Sequence, residues 1–441
     1  MAKQNAIRNI KPCTQLKGEI ALPGDKSISH RVVILNSLSK GKAEISNFAP
    51  GKDCSATVSC LRALGVQIRR KTAEDSPTLV ISGAGEDGLK EPEDILNAEN
   101  SATTMRLLGG LLSGQPFMSI VTGDVSLRSR PMGRLIEPLR LMGAEIWGKG
   151  NDSLAPLVIR GGKLRGTNFS LPVPSAQIKS AILLAGLFAL GDTVLHQPIV
   201  SRDHTERLLK QMGAKLESDG SRICLSPLTA PLTPVDFRLP GDISSAAYFL
   251  VAGTIHPNAR IILRNCGINP TRTGIIDALK AMGAKLRIEN ERLELGEPLA
   301  DIVVESSELK GIEIGGDIIP RLIDEIPVLA VAGCVAKGKT VIRDAGELRV
   351  KESDRIANVS KELSRLGAEV EDLPDGIIIH GGKPLSGTEV DSHFDHRLAM
   401  SLAIAALVAK GETTINHAQV AQISYPSFWQ DMLSLIKERI E

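Results

Sequence analysis

Five times along the chain, leucine or methionine residues three apart run into a glycine and then a short alternating segment: LRALGVQIR, LRLMGAEIW, LKQMGAKLE, LKAMGAKLR and LSRLGAEVE. Apolar residues at that spacing share one helical face, and a glycine just past them suits a left-handed C-cap, so each copy predicts a helix ending in a strand. The glycines are Gly65, Gly143, Gly213, Gly283 and Gly367, and the closing LSLIKERIE fits the same frame with Lys437 in the glycine place. Six copies of about 70 residues fill the chain.

About 40 residues ahead of each of these glycine positions, polar residues open a second, more apolar helix: PGDKSISHR from Pro23, NSATTMR from Asn100, PSAQIKSA from Pro174, PGDISSAAYF from Pro240, IDEIPVLAVAG from Ile323 and DHRLAMSLAIAALVA from Asp395. The related LPGDKSIS and LPGDISSA stand 217 residues apart, which predicts three repeats per half and two lobes of matching α+β architecture. Apolar helices such as AILLAGLFAL belong inside a lobe, with the strands covering them. The long repeat unit and ordinary globular composition favour closed lobes over a solenoid.

Composition narrows the function. The 441 residues carry 52 basic and 51 acidic side chains, so the broad cationic excess of a dedicated nucleic-acid or membrane-surface binder is missing. The longest apolar stretches, near Ala181–Leu190 and Val328–Ala336, fall short of the ~20 residues a membrane span needs. MAKQNAIRNIKPCTQLKGEI has no apolar h-region, and a cytoplasmic location is expected. The six cysteines are dispersed without a C-x-x-C pair, suggesting reduced, mostly buried thiols.

The chemistry shows as an anomaly. Cations gather at predicted helix starts, where the positive end of the macrodipole disfavours them by ~0.3–1 kcal/mol each. Lys26 and Arg31 follow Gly24-Asp25, Arg130 precedes Pro131 as a first-turn residue, and Arg202 precedes Asp203 as a cap. Lys351 and Arg355 lie in VKESDR, and Arg397 follows Asp395-His396. Helix starts also offer unbonded N–H groups, so their convergence with these cations makes a phosphate or carboxylate site. Asp324, Glu325 and Glu352 are interleaved with the cations and can transfer protons once an anionic ligand or an apolar cleft raises their pKa. No Walker loop, nucleophile elbow or dinucleotide fingerprint occurs, and His393 and His396 lack a third metal ligand nearby.

LPGDKSISHR, NSATTMR, GDVSLRSRPMGR, PSAQIKSA, RDHTER, NPTRTG, LIDEIP, LRVKESDRI and DHRLAMS occur in an order and spacing that resemble the 5-enolpyruvylshikimate-3-phosphate (EPSP) synthases, among the enolpyruvyl transferases. The resemblance runs end to end. It implies a two-lobed inside-out α/β barrel, each lobe built of three βαβαββ units, with residues 21–238 as the first lobe and residues 1–20 plus 239–441 as the second. The N-terminal strand would join the second lobe and the active site would lie in the cleft between the lobes. It also implies enolpyruvyl transfer from phosphoenolpyruvate to shikimate 3-phosphate through a tetrahedral intermediate, by a monomer with no metal or organic cofactor.

By the same resemblance Lys26, Ser27, Arg31, Ser175, Ala176, Gln177, Arg202, Asp324 and Lys351 would hold shikimate 3-phosphate. Lys26, Ala102, Arg130, Gln177, Arg355 and Arg397 would surround phosphoenolpyruvate, and Lys26, Asp324 and Glu352 would be catalytic. Ala102 stands where the enterobacterial form has glycine, Leu107 where it has proline, and Ser424 near an expected phosphate-contacting lysine. The combination is similar to the glyphosate-tolerant second class, for which glyphosate would be a weak competitor. Two alternatives differ in kind: UDP-N-acetylglucosamine enolpyruvyl transferase, whose typical loop Cys finds no counterpart between Cys60 and Cys224, and a non-catalytic clamp for a phosphorylated metabolite.

Overall fold

All five repeat glycines take the left-handed conformation, with φ of 89° at Gly65, 95° at Gly143, 88° at Gly213, 97° at Gly283 and 89° at Gly367. Each ends a helix (Lys52–Ala63, Gly133–Leu141, His204–Gln211, Gly274–Ala281, Arg355–Arg365) shortly before a strand. The computed structural model describes residues 6–71, 77–85 and 88–437. The sixth copy follows a different course: after the Phe428–Leu435 helix, Ile436 makes an isolated bridge to Leu16. The last four residues of LSLIKERIE, and the first five of the chain, lie outside the described residues.

The chain divides into two compact units, one of Gly24–Leu239 with Leu293–Glu297 and one of Met1–Pro23, Pro240–Arg292 and Pro298–Glu441. Leu293–Glu297 belongs with the former, where Glu297 Oε1 lies 2.7 Å from His204 Nδ1 and the Gly296 carbonyl accepts from Arg207 Nη1 at 2.6 Å.

In the Gly24–Leu239 unit, one sheet orders its strands Leu96–Asn97, Met118–Thr122, Leu154–Arg160, Glu145–Gly148, with one parallel pairing followed by two antiparallel ones. The sheet of Asn168–Ser170, Thr193–His196, Arg222–Leu225 and Leu216–Ser218 repeats that order. The third begins with Phe237–Arg238, which pairs in parallel with Lys40–Ser46 from the other end of the unit and so closes it on itself. In the other unit Gly338–Ile342 sits in a sheet of the same order, and the N-terminal Leu16–Ala21 pairs in parallel with Ala259–Gly267. A three-stranded sheet of Arg8–Ile10, Thr413–Asn416 and Glu389–Asp391 completes that unit.

The apolar helices form the interiors. Every residue of Ile243–Ile255 and of His396–Ala406 is buried, as is all of Ile326–Val335 except Val335. Lys26–Ser37, Ala102–Ser113 and Ala176–Gly186 each bury all but two residues in the Gly24–Leu239 unit, where Val32, Leu108 and Ile182 share one core. Strands such as Leu154–Arg160 alternate between core and outer face, as a sheet with one solvated side requires. Among the described residues no helix is long and apolar enough to cross a membrane.

Helix Ala102–Ser113 approaches Ala176–Gly186 backbone to backbone: a Cβ on Gly110 would stand 2.0 Å from the Ala181 carbonyl oxygen. Gly110→Ala should therefore destabilise the protein by at least ~1–3 kcal/mol, the cost of overpacking a close-packed core. Gly162→Ala, which meets nothing within 4 Å, should leave stability within ~0.5 kcal/mol. Denaturant melts of both variants check this, and equal midpoints would contradict the packing argument.

Candidate active site

In the Gly24–Leu239 unit the site grows from helix starts. Asp25 caps Lys26–Ser37 by accepting from Ile28 N at 2.9 Å, which leaves Lys26 as the first helical residue, its Nζ 2.7 Å from Asp53 Oδ2. Arg31, on the same helix and buried, donates Nε to Thr205 Oγ1 at 2.7 Å, Nη2 to Ser180 Oγ at 2.8 Å and Nη1 to the Ser27 carbonyl at 2.9 Å. Arg202 reaches Ser27 Oγ at 3.3 Å. Ser27, Arg31 and Arg202 are thus gathered from opposite ends of the unit.

Ser175 caps Ala176–Gly186 by accepting from Ile178 N at 3.4 Å. Gln177, second in that helix, accepts from Arg106 Nη1 at 2.5 Å and donates to Thr103 Oγ1 at 2.9 Å. Ala102 opens Ala102–Ser113 behind the cap Ser101, and its methyl is buried. Arg130, also buried, donates Nη2 to Asn100 Oδ1 at 2.9 Å, so it stands against the residue two before Ala102. Two local expectations need correcting. Pro131 precedes its helix, which starts at Gly133 behind Met132, and Asp203 turns its carboxylate to Arg207 Nε at 2.8 Å instead of to the backbone it precedes.

In the other unit a single guanidinium organises the site. Arg355 is the first residue of its helix, capped by Asp354, and is only 2% exposed. Its Nε meets Asp395 Oδ2 at 2.8 Å, its Nη2 meets Glu352 Oε2 at 2.5 Å, and its Nη1 lies 3.5 Å from Asp324 Oδ1. The other Asp324 oxygen is 3.7 Å from Arg397 Nη2. Asp324 therefore bridges two guanidinium groups, and Glu352 shares one of them. Lys351 adjoins Glu352 and is partly buried.

Burial alone would lower the Arg355 pKa, but the Asp395 and Glu352 charges outweigh it and hold the group above its ordinary value. Burial likewise opposes ionisation of Asp395, and Arg355 overrides it, leaving that pKa below the usual carboxylate range. Arg397 is raised in the same way, chiefly by Asp324 against the effect of burial. The Asp324 and Glu352 side chains are 15% and 18% exposed and Asp395 0%, so the first two can reach a ligand while Asp395 is a structural counter-ion.

Sequence reasoning did not single out Asp53, Thr205, Ser180, Arg106 and Asn100, the partners that fix these side chains. All but Asp53 lie inside motifs already conspicuous for other members: NSATTMR, PSAQIKSA and RDHTER. Of the two histidines near Arg397, His393 binds Glu362 Oε1 at 2.8 Å, and among the described residues no group of three His, Cys, Asp or Glu could hold a metal ion.

The family description "EPSP synthase (3-phosphoshikimate 1-carboxyvinyltransferase)" matches residues 10–432. Curated relatives named 3-phosphoshikimate 1-carboxyvinyltransferase include that of Desulforudis audaxviator, 52% identical over 97% of this chain and 98% of its own. That of Gloeobacter violaceus is 53% identical over 96% and 98%. The solved EPSP synthase from Acinetobacter baumannii superposes with a TM-score of 0.87 at 42% identity, covering 99% of both chains. The enolpyruvyl transferase NikO from Streptomyces tendae, with a TM-score of 0.79 over 98% and 97% of the two chains, shares the fold at 19% identity. Likeness of this extent places the chain: it belongs to the EPSP synthase (3-phosphoshikimate 1-carboxyvinyltransferase) family.

Proposed function

We infer that this chain transfers the enolpyruvyl group of phosphoenolpyruvate to the 5-hydroxyl of shikimate 3-phosphate and releases phosphate. The observation that carries the chemistry is the pair of accessible carboxylates, Asp324 and Glu352, held on one buried guanidinium beside Arg397. The strand orders support reading each unit as an inside-out α/β barrel of βαβαββ repeats.

In the Gly24–Leu239 unit, Lys26, Ser27, Arg31, Ser175, Ala176, Gln177 and Arg202 are assigned to shikimate 3-phosphate, and Lys26, Ala102, Arg130 and Gln177 to phosphoenolpyruvate. In the other unit Asp324 and Lys351 are assigned to the former substrate, Arg355 and Arg397 to the latter. Asp324 takes the proton of the attacking 5-hydroxyl as its oxygen bonds to C2 of phosphoenolpyruvate, and Glu352 delivers a proton to the methylene carbon. The resulting tetrahedral species loses a methyl proton back to Glu352 while the C2–O bond to phosphate breaks, the departing phosphate takes up the proton that Asp324 accepted, and the fixed cations stabilise the anion. Proton transfer and electrostatics suffice, with no metal or organic cofactor. A cytoplasmic monomer is the proposed setting.

Phosphate release from phosphoenolpyruvate tests the reading directly. Release is expected with shikimate 3-phosphate and not with UDP-N-acetylglucosamine; the opposite preference would sink the assignment.

Asp324→Asn keeps the shape between Arg355 and Arg397 but removes the proton acceptor. Turnover should fall by roughly 10²–10⁴-fold, with a much smaller change in the KM values. Near-normal turnover of the purified variant would remove Asp324 from the mechanism.

Glyphosate, longer than phosphoenolpyruvate, should compete weakly because the buried Ala102 methyl occupies space at the helix start. Strain of ~1–3 kcal/mol on a ligand that fills the pocket means Ala102→Gly should tighten glyphosate inhibition by roughly 5- to 100-fold, with a smaller change in KM for phosphoenolpyruvate. Equal inhibition constants for wild type and variant would show that the methyl does not discriminate.

A further inference from the structure

His393 and Phe394, which the reaction leaves without a role, adopt left-handed backbone in succession, with φ of 50° and 58°, immediately before Asp395. Side chains of L-residues rarely do so, bulky ones least, and glycine at either place would avoid the strain. Such a conformation persists only where its surroundings over-determine it.

The surroundings here do so from three elements. His393 N donates to Asp391 Oδ1 at 2.7 Å, and the imidazole Nε2 lies 2.8 Å from Oε1 of Glu362, a fully buried carboxylate on the Arg355–Arg365 helix. The other Glu362 oxygen accepts from Asp391 N at 3.0 Å. The Phe394 ring stacks on His417 with centroids 4.1 Å apart, and His417, itself left-handed at φ 55°, keeps Nδ1 3.0 Å from Asp391 Oδ1. Ser392 Oγ donates to the His417 carbonyl at 3.2 Å.

The chain leaves this turn into the site. Asp395 N closes the turn on the Ser392 carbonyl at 2.8 Å, and the Asp395 carboxylate caps the next helix at Arg397 N, 2.8 Å, while holding Arg355 Nε. A rotation at His393 or Phe394 would therefore swing Asp395 and Arg397 together.

We propose that the His393–Phe394 turn, held by Glu362 and His417, is a positioning device that aims Arg397 and the Asp395–Arg355 pair at phosphoenolpyruvate. This rests on the assignment of Arg355 and Arg397 to that substrate.

Phe394→Gly and His417→Ala, assayed in the full chain for Tm and for KM of each substrate, test it. Phe394→Gly should leave Tm unchanged or raise it by relieving strain, yet raise KM for phosphoenolpyruvate roughly 5- to 50-fold through misplacement of the cations. His417→Ala should give the same rise with a lower Tm. In both, KM for shikimate 3-phosphate should rise by much less, Asp324 being one of several groups assigned to it. The proposal is overturned if both variants keep the wild-type KM for phosphoenolpyruvate, or if both KM values rise together as Tm falls. A wild-type protein that releases no phosphate from the two substrates would overturn this inference and the functional reading together; active wild type with unchanged variants overturns this inference alone.

Discussion

A guanidinium buried at the start of a helix faces two penalties, loss of hydration and the positive end of the helix dipole, and only close anions can offset them. Arg355 meets this constraint with Asp395, Glu352 and Asp324, and the rest of the second unit's site follows from it. The same contacts that make the burial tolerable set two solvent-reachable carboxylates around one cation. On the proposed reaction, Asp324 is the base of this pair and Glu352 the acid.

The two units answer the cation problem differently. The hydroxyls of Thr205 and Ser180 and the Ser27 carbonyl accept from Arg31, all of them neutral groups. His30, buried beside it, stays uncharged: burial first, then Lys26 and Arg31, pull its pKa down to about 3 against the opposing charge of Asp53. The Arg355 contacts, by contrast, are to three carboxylates.

Legibility in the sequence followed the range of the interaction. The helix-to-strand repeats were plain because a left-handed cap at Gly65 or Gly367 is a local demand met by one residue type. The cations were plain because a Lys or Arg at a helix start breaks a local rule. What the periodicity did not carry is pairing across the chain: Phe237–Arg238 beside Lys40–Ser46, or Arg31 with Thr205, 174 residues away. Asp203 holds the expected cap position without a side-chain cap bond, for a related reason. Its position is that of a cap, but Arg207, one turn on, offers a charged donor to its carboxylate, and a charge-assisted bond outcompetes a neutral backbone one.

His393 and Phe394 show the limit of residue-type reasoning from the other side. Two histidines three apart invite a metal reading, yet the first binds Glu362 and the second opens a buried helix. Neither composition nor spacing signals that His393 and Phe394 are left-handed, because a bulky side chain such as that of Phe394 ordinarily avoids that conformation. Strain of about 1–3 kcal/mol per such residue is retained only where the fold supplies compensating contacts, and here those contacts converge on the helix start that carries Arg397. Glycine at these positions would adopt the same backbone without that strain. That the turn holds a phenylalanine stacked on His417 ties the geometry of the site to packing outside it.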